Sequence, residues 1–324
     1  MLIKRASGLL LHVTSLPSAF GVGDFGTQAR RFADFLDRAG MRLWQILPLN
    51  MTIAKQGFSP YNCFSAFAGN PLLISPEELV KERLLKREDI THTPLFPLEK
   101  ADFTQCARYK YKLFKKAFER FQKRSIPSRY KKFLDENKAW LDDFTLFMAL
   151  REQYPGKIWS NWPRDLKNRE SEALDHAKEE LAQSIAYHEF LQYVFFRQYH
   201  SLKRYCNKKG IQIFGDLPIY VTYNSADVWA NSKLFKLTRS LKQKFIAGVP
   251  PDYFSKTGQL WGNPVYDWKQ QAEDDYAWWM RRLEHNFDLF DLVRIDHFRG
   301  FEAYWQVPAG HKTAIKGRWV KGPG

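Results

Sequence analysis

Cysteine is scarce in this chain, with Cys63, Cys106 and Cys206 the only three in 324 residues. The number is odd, the spacing is wide and no Cys-x-x-Cys pair occurs, so neither a disulfide framework nor a zinc site follows. Long apolar runs are missing too. No segment approaches the roughly 20 apolar residues needed to span a bilayer, and no membrane partner is expected. Lys4 and Arg5 precede the apolar run 8–13, but that run is too short for a secretory signal and is broken by His12. A cytoplasmic protein is expected, in which the sequon Asn50-Met51-Thr52 has no consequence. Acidic residues are in deficit, with 35 Asp and Glu against 50 Lys and Arg and a net charge of +15, which raises nucleic-acid binding as a function. The bases, however, are spread along amphipathic stretches such as 109–124 and 203–209, and no nucleic-acid module accompanies them. A solvated helix face accounts for the charge, and no nucleic-acid partner is expected. Gly-x-Ser-x-Gly, His-Glu-x-x-His and phosphate-loop motifs are absent. Gly21-Val22-Gly23-Asp24-Phe25-Gly26 lacks the strand and helix placement of a dinucleotide loop. His12 and His297 have no second ligand at metal spacing and read as hydrogen-bonding residues. No metal and no organic cofactor are expected. Oligomeric state has no signal in the sequence.

Aromatic residues, by contrast, are abundant: 11 Trp, 15 Tyr and 26 Phe. They can fill a core, or they can offer flat apolar faces with a polar edge, on which the C–H faces of a sugar ring stack. The chain is long enough for one large domain or two modest ones.

The first 49 residues predict a βαβ unit. Ser7–Leu16 reads as a buried strand ending in the Pro17 turn. Thr27 can cap a helix whose apolar face runs Ala29, Phe32, Ala33, Phe35, Leu36, Ala39, with Gly40 just past its end. Leu43–Leu47 is a second strand, stopped by Pro48 and expected to be parallel to the first. Residues 50–205 read as a loop followed by an inserted helical subdomain, with long helical stretches at 133–154 and 185–209. In 206–324 the strand pattern resumes at 211–221, a second excursion holds Gly248–Asp267, and 287–298 supplies a fourth strand. Buried strands separated by helices, each ending in polar residues, fit a (β/α) barrel better than an open sheet.

The fourth strand ends in Asp291-Leu292-Val293-Arg294-Ile295-Asp296-His297-Phe298-Arg299-Gly300. A strand that delivers Asp296 to its carboxyl end, with Arg294 on the same side of the pleat, presents an acid to a cleft. Flanking guanidiniums favour its ionised form, which suits a nucleophile. A structural ion pair is the alternative reading of these residues alone. Three further clusters lie at strand ends or in the loops after them. Ser59-Pro60-Tyr61-Asn62 can be a plain turn. Asp216, after Gly215, can be a solvated turn residue. Residues 248–254 lead into Thr257–Pro264, where Trp261 sits among glycine and polar residues with little core to enter, which favours a binding role. In a barrel these clusters converge on one face.

The motifs Ser7–His12 with Thr14–Pro17, Trp44–Leu49, Ser59–Tyr61 with Ser65–Pro71, and the clusters above resemble the 4-α-glucanotransferases, glycoside hydrolase family 77. Matches recur from residue 7 to residue 321 and thin out between 74 and 184. The resemblance implies the N-terminal part of a (β/α)8 TIM barrel of the α-amylase type. It also implies transfer of α-1,4-glucan segments from a maltooligosaccharide or glucan donor to a sugar acceptor, with retention of configuration. Asp296 matches the family's nucleophile and Arg294 the residue that orients it. Ser59, Tyr61 and Asp216 match the subsite where the ring is distorted, and Asp252, Phe254, Gln259 and Trp261 match the loop covering the acceptor side. Retention needs a carboxylate on one face of the sugar and an acid roughly 5 Å away on the other. An aromatic lid of Phe254 and Trp261 would exclude water. The family's acid/base Glu and a second Asp lie on later strands beyond Gly324, with the remainder of the barrel. Glu302 and Asp252 are the nearby carboxylates that could be proposed as substitutes; Glu302, just past the fourth strand, reads instead as a solvent or ion-pair residue. This chain alone is therefore expected to have lost almost all transferase activity, since general acid help contributes roughly 10²–10⁴-fold. A non-catalytic glucan-binding protein is the alternative.

Overall fold

The computed structural model describes residues 5–97 and 99–324. Among the described residues eight strands are formed in chain order: β1 (Gly8–Leu10), β2 (Leu43–Gln45), β3 (Gln212–Pro218), β4 (Phe245–Val249), β5 (Gln259–Pro264), β6 (Leu292–Asp296), β7 (Ala303–Pro308) and β8 (Arg318–Lys321). β1, β2, β3 and β6 pair in that order, all parallel, with helices in the connections. The expected α/β arrangement is therefore present, as an arc of parallel strands. The remaining four form a separate antiparallel sheet in the order β5-β4-β7-β8. The excursion 248–267 thus contains the paired strand β5 and the end of β4, and the segment after Glu302 supplies two further strands that the sequence reading did not anticipate.

Local chemistry sets the boundaries. The helix Thr27–Arg38 buries Ala29, Ala33 and Leu36, while Phe35 turns outward at 45% exposure. Its N-cap is Gly26, not Thr27. The Thr27 hydroxyl donates to Glu77 Oε2 at 2.7 Å, and capping is lost to that longer-range bond. Gly40 follows the helix in the left-handed region at φ +70°, as a C′ glycine does. Only Gly8–Leu10 of the expected first strand pairs, because its partner β2 is three residues long; Val13–Ser15 forms a 3₁₀ turn instead. Likewise the helix Ala277–Leu289 claims Phe287 to Leu289, and β6 begins at Leu292. β6 is half-exposed, not buried, because as an edge strand it pairs with β3 alone.

The helix Ala182–Lys208 is the organising rod. Apolar side chains such as Phe190, Val194, Phe195 and Tyr199 are buried around it, which anchors the core under the parallel strands. Two of its amides hold the loop that follows β2. Gln192 accepts from Gly69 N (2.7 Å) and donates to Gly69 O (3.0 Å), and Gln198 does the same to Ser75 (2.7 and 3.2 Å). Each amide replaces a missing strand partner, so buried backbone groups are satisfied without a sheet. Further along, Cys63 N donates to Thr222 Oγ1 (3.0 Å) and Ala66 N to Asp227 Oδ2 (2.8 Å). The loop carrying Tyr61 is therefore pinned to the segment after β3. A second core joins the helix Ser128–Gln153 to residues 217–221 and 226–235. Lys110, with no exposure, donates to Asp24 Oδ2 and to the carbonyls of Leu72 and Ile74 within 3.0 Å, which satisfies a buried ammonium completely.

Candidate active site

The site is built where β3 and β6 lie side by side, in register Asp216 to Arg294 and Pro218 to Asp296. Gly215 makes this possible locally, since a Cβ there would sit 2.2 Å from the Phe290 ring packed beneath the strand. After Pro218 the buried Arg282 donates to the carbonyls of Pro218 (2.5 Å) and Ile219 (3.0 Å), closing the strand end.

Asp216 is 2% exposed, so it is no solvated turn residue. Tyr61 OH donates to its Oδ2 at 2.7 Å, and Arg294 Nη1 reaches both of its oxygens at 3.1 Å. The same guanidinium donates through Nη2 to Asp296 Oδ1 at 2.5 Å, leaving Asp296 Oδ2 outside that bond. Burial raises the Asp216 carboxyl pKa, against the lowering pull of Tyr61 and Arg294. Burial and then Asp216 push the Tyr61 phenol up to about 12, so it stays a proton donor. Partial burial opposes the charge on Arg294, but the two aspartates outweigh it and raise its pKa. The guanidinium is thus a fixed bridge between a buried carboxylate and a half-exposed one. Arg299 takes no part. It stacks on Trp319 at 4.3 Å, so one guanidinium, not two, serves Asp296.

Asp296 opens onto a cavity of about 300 Å³, within the range of small-molecule sites. Tyr61, Gln259 and Trp261 share its wall. Trp261 Nε1 donates to Gln259 Oε1 (3.0 Å), and its indole meets the His297 ring edge-on at 4.9 Å and Tyr220 at 6.1 Å. Packed on two sides, the indole is held rigidly. His297 sits in the left-handed region at φ 55°, which turns its ring into the cavity after Asp296. Its Nε2 is buried without a partner among the described residues, as is Nδ1 of His12, so the expected hydrogen bonds of these atoms are not formed. Burial lowers the His297 pKa despite Asp296, which favours the neutral ring.

Three expected residues lie elsewhere. Ser59 Oγ accepts from Tyr61 N at 3.4 Å, so it shapes the turn and does not line the cavity. Asp252 spends Oδ1 on the amides of Phe254 (2.9 Å) and Ser255 (2.8 Å), and Phe254 is 92% exposed, so neither covers the cavity. Sequence reasoning passed over Tyr220 on the wall and His297 as a cavity residue, and included Asn62 and Asn263 in its clusters without assigning them a role. For His297 the signal was available, one position after the acid. Among the described residues no group of three or more His, Cys, Asp or Glu is placed to hold a metal ion, and no helix is long and apolar enough to cross a membrane.

Comparison with known proteins adds to this geometry. The family model described as 4-alpha-glucanotransferase matches residues 11–324. The 4-alpha-glucanotransferase of Aquifex aeolicus is 52% identical over 320 residues, 99% of this chain and 64% of that protein. That of Thermus thermophilus is 47% identical over 327 residues, 100% of this chain and 64% of that protein. The amylomaltase of Streptococcus agalactiae, solved in complex with acarbose, superposes with a TM-score of 0.95 at 42% identity. That match covers 99% of this chain and 65% of the solved one. The fold is also shared with Corynebacterium glutamicum amylomaltase, at a TM-score of 0.75 and 19% identity over 98% of this chain and 44% of that one. The chain thus spans about 64% of the length of these two curated relatives. The four parallel strands are part of the α/β barrel fold shared with those amylomaltases. The chain belongs to the 4-alpha-glucanotransferase family, glycoside hydrolase family 77.

Proposed function

We propose that the cavity beside Asp296 binds a maltooligosaccharide or glucan and supports transfer of its α-1,4-linked segment to a sugar acceptor by retaining double displacement. The observation that carries this reading is the Arg294 guanidinium bridging buried Asp216 and half-exposed Asp296, of which Asp296 lines the cavity. With Oδ1 held by Arg294, Asp296 Oδ2 attacks the anomeric carbon as the glycosidic C–O bond breaks, and the departing oxygen takes a proton from solvent water, to which the acceptor hydroxyl later returns one. A hydroxyl of the acceptor then displaces Asp296 and gives up its own proton, restoring the configuration. Tyr61 and the neutral His297 hydrogen-bond ring hydroxyls, and Trp261 offers its face to the sugar. The three thiols are buried and unpaired, which supports the cytoplasmic setting expected from the sequence.

Among the described residues Asp296 is the one carboxylate on the cavity wall. This favours a second reading, glucan binding without turnover. The two separate with α-maltosyl fluoride, whose leaving group needs little help from an acid. The first reading expects a burst of about one equivalent of fluoride per chain, lost in Asp296→Asn. Maltotriose bound equally by both forms, with no burst in either, would leave binding as the function.

A further inference from the structure

The loop that carries Tyr61 also borders a second cavity, of about 650 Å³, through Lys55, Gln56 and Phe58. The two cavities share no lining residue. The wall of the second includes four cations, Lys55, Arg108, Arg151 and Lys157, and no carboxylate. Arg151 is the inner one. It lies 3.6 Å from the centroid of the Phe64 ring, and its Nη1 has only Met148 Sδ, at 3.7 Å, as a polar contact. Glu152, its chain neighbour, is already occupied by Ser184 (2.7 Å) and His188 (3.0 Å). Other arginines held wholly or partly out of water are served differently. Arg120 pairs with Asp89, Arg169 with Asp143, Arg197 with Glu82, and Arg282 donates to backbone carbonyls. Burial lowers the Arg151 pKa to about 10 against the raising pull of nearby Glu152, so it remains charged at neutral pH.

A charge kept partly out of water with no carboxylate hydrogen-bonded to it is costly, and a bound anion would offset that cost. A neutral sugar would leave the guanidinium as unpaired as before. Four positive charges favour a dianion over a carboxylate, and the guanidinium fork matches phosphoryl oxygens. The rest of the wall suits an organic body, since Phe58 and Tyr111 supply aromatic surface and the volume is that of one small molecule. We propose that this cavity binds an organic phosphate. Arg151 holds the phosphoryl group, with Arg108, Lys55 and Lys157 around it, and a ring-bearing body lies against Phe58 and Tyr111.

Titration calorimetry of the chain with phenyl phosphate, inorganic phosphate and maltotriose tests this. Phenyl phosphate is expected to bind at least ~tenfold more tightly than inorganic phosphate, to weaken as pH falls below its second pKa of about 6, and to resist displacement by maltotriose. Arg151→Met is expected to weaken it at least ~tenfold, with Arg151→Lys between that variant and the wild type. The exposed pair Arg108→Gln/Lys157→Gln, which leaves the core untouched, is expected to cost a similar factor and decides the matter should Arg151→Met not fold. Phenyl phosphate binding unchanged in that double variant, inorganic phosphate binding as tightly, or displacement by maltotriose would each overturn the proposal.

Discussion

Arg294→Met is the most informative perturbation of the site, because Arg294 compensates a carboxylate that has almost no access to water. At 3.1 Å and an effective dielectric of 20, the attraction between Arg294 and Asp216 is about 5 kcal/mol before desolvation is counted. Removing one partner of a buried pair costs about 3–5 kcal/mol. The Arg294 side chain is 45% exposed, so solvent screening reduces this, and about 2 kcal/mol is the expected loss of unfolding free energy at pH 7. The sign with pH is also set. Without the guanidinium, Asp216 keeps the burial that already raises its pKa and loses a pull that lowers it. A folded-state pKa raised further contributes stability that is present at low pH and lost as pH rises. The Arg294→Met deficit should therefore shrink as pH falls towards the ordinary carboxyl range. Adding Asp216→Asn removes the stranded charge, so the double variant should recover about 1–2 kcal/mol relative to the sum of the singles. Urea unfolding of the four forms at pH 7 and pH 4.5 measures all three quantities. Wild-type stability in Arg294→Met, or strict additivity in the double variant, would refute the reasoning.

Two further outcomes follow from other contacts. Asp227 is buried and its pKa is raised to about 6 by burial, so wild-type stability should fall as pH rises from about 4 to about 6, by up to about 3 kcal/mol. Asp227→Asn keeps an oxygen for Ala66 N and should flatten that slope in urea titrations, whereas an unchanged slope would rule Asp227 out as its source. Trp261→Ala should weaken maltotriose binding about tenfold, equivalent to about 1.4 kcal/mol, as read by calorimetry on the folded variant. Unaltered affinity would remove the indole from the binding surface.

How much of this could be read from the chain varies with the physics that carries it. The βαβ start was legible because helical spacing at Ala29, Ala33 and Leu36, the glycine at 40 and the prolines at 17 and 48 are all local signals. The pairing of Arg294 with Asp296 followed from strand alternation. Its second pairing, with Asp216 from 78 residues earlier, needed the register of β3 against β6 and had no local signature. The antiparallel sheet was missed because β4 and β7 pair across more than fifty residues, and its segments carry glycines and prolines that read as loop. Phe254 and Asp252 were misplaced for the opposite reason. Their residue types suit a lid, but Asp252 is consumed by its own turn and leaves the phenyl ring in solvent. The buried amides of Gln192 and Gln198, which pin the Tyr61 loop, look in sequence like ordinary helix residues.

The claim on which the functional account stands is that one oxygen of Asp296 forms a bond to an anomeric carbon. Incubation with 5-fluoro-α-glucosyl fluoride, proteolysis and peptide mass mapping test it directly. A single fluoroglucosyl label on the peptide containing Asp296, absent in Asp296→Asn, is the expected result. A label on Asp216, Asp252 or Glu302, or no label at saturating reagent, would contradict it.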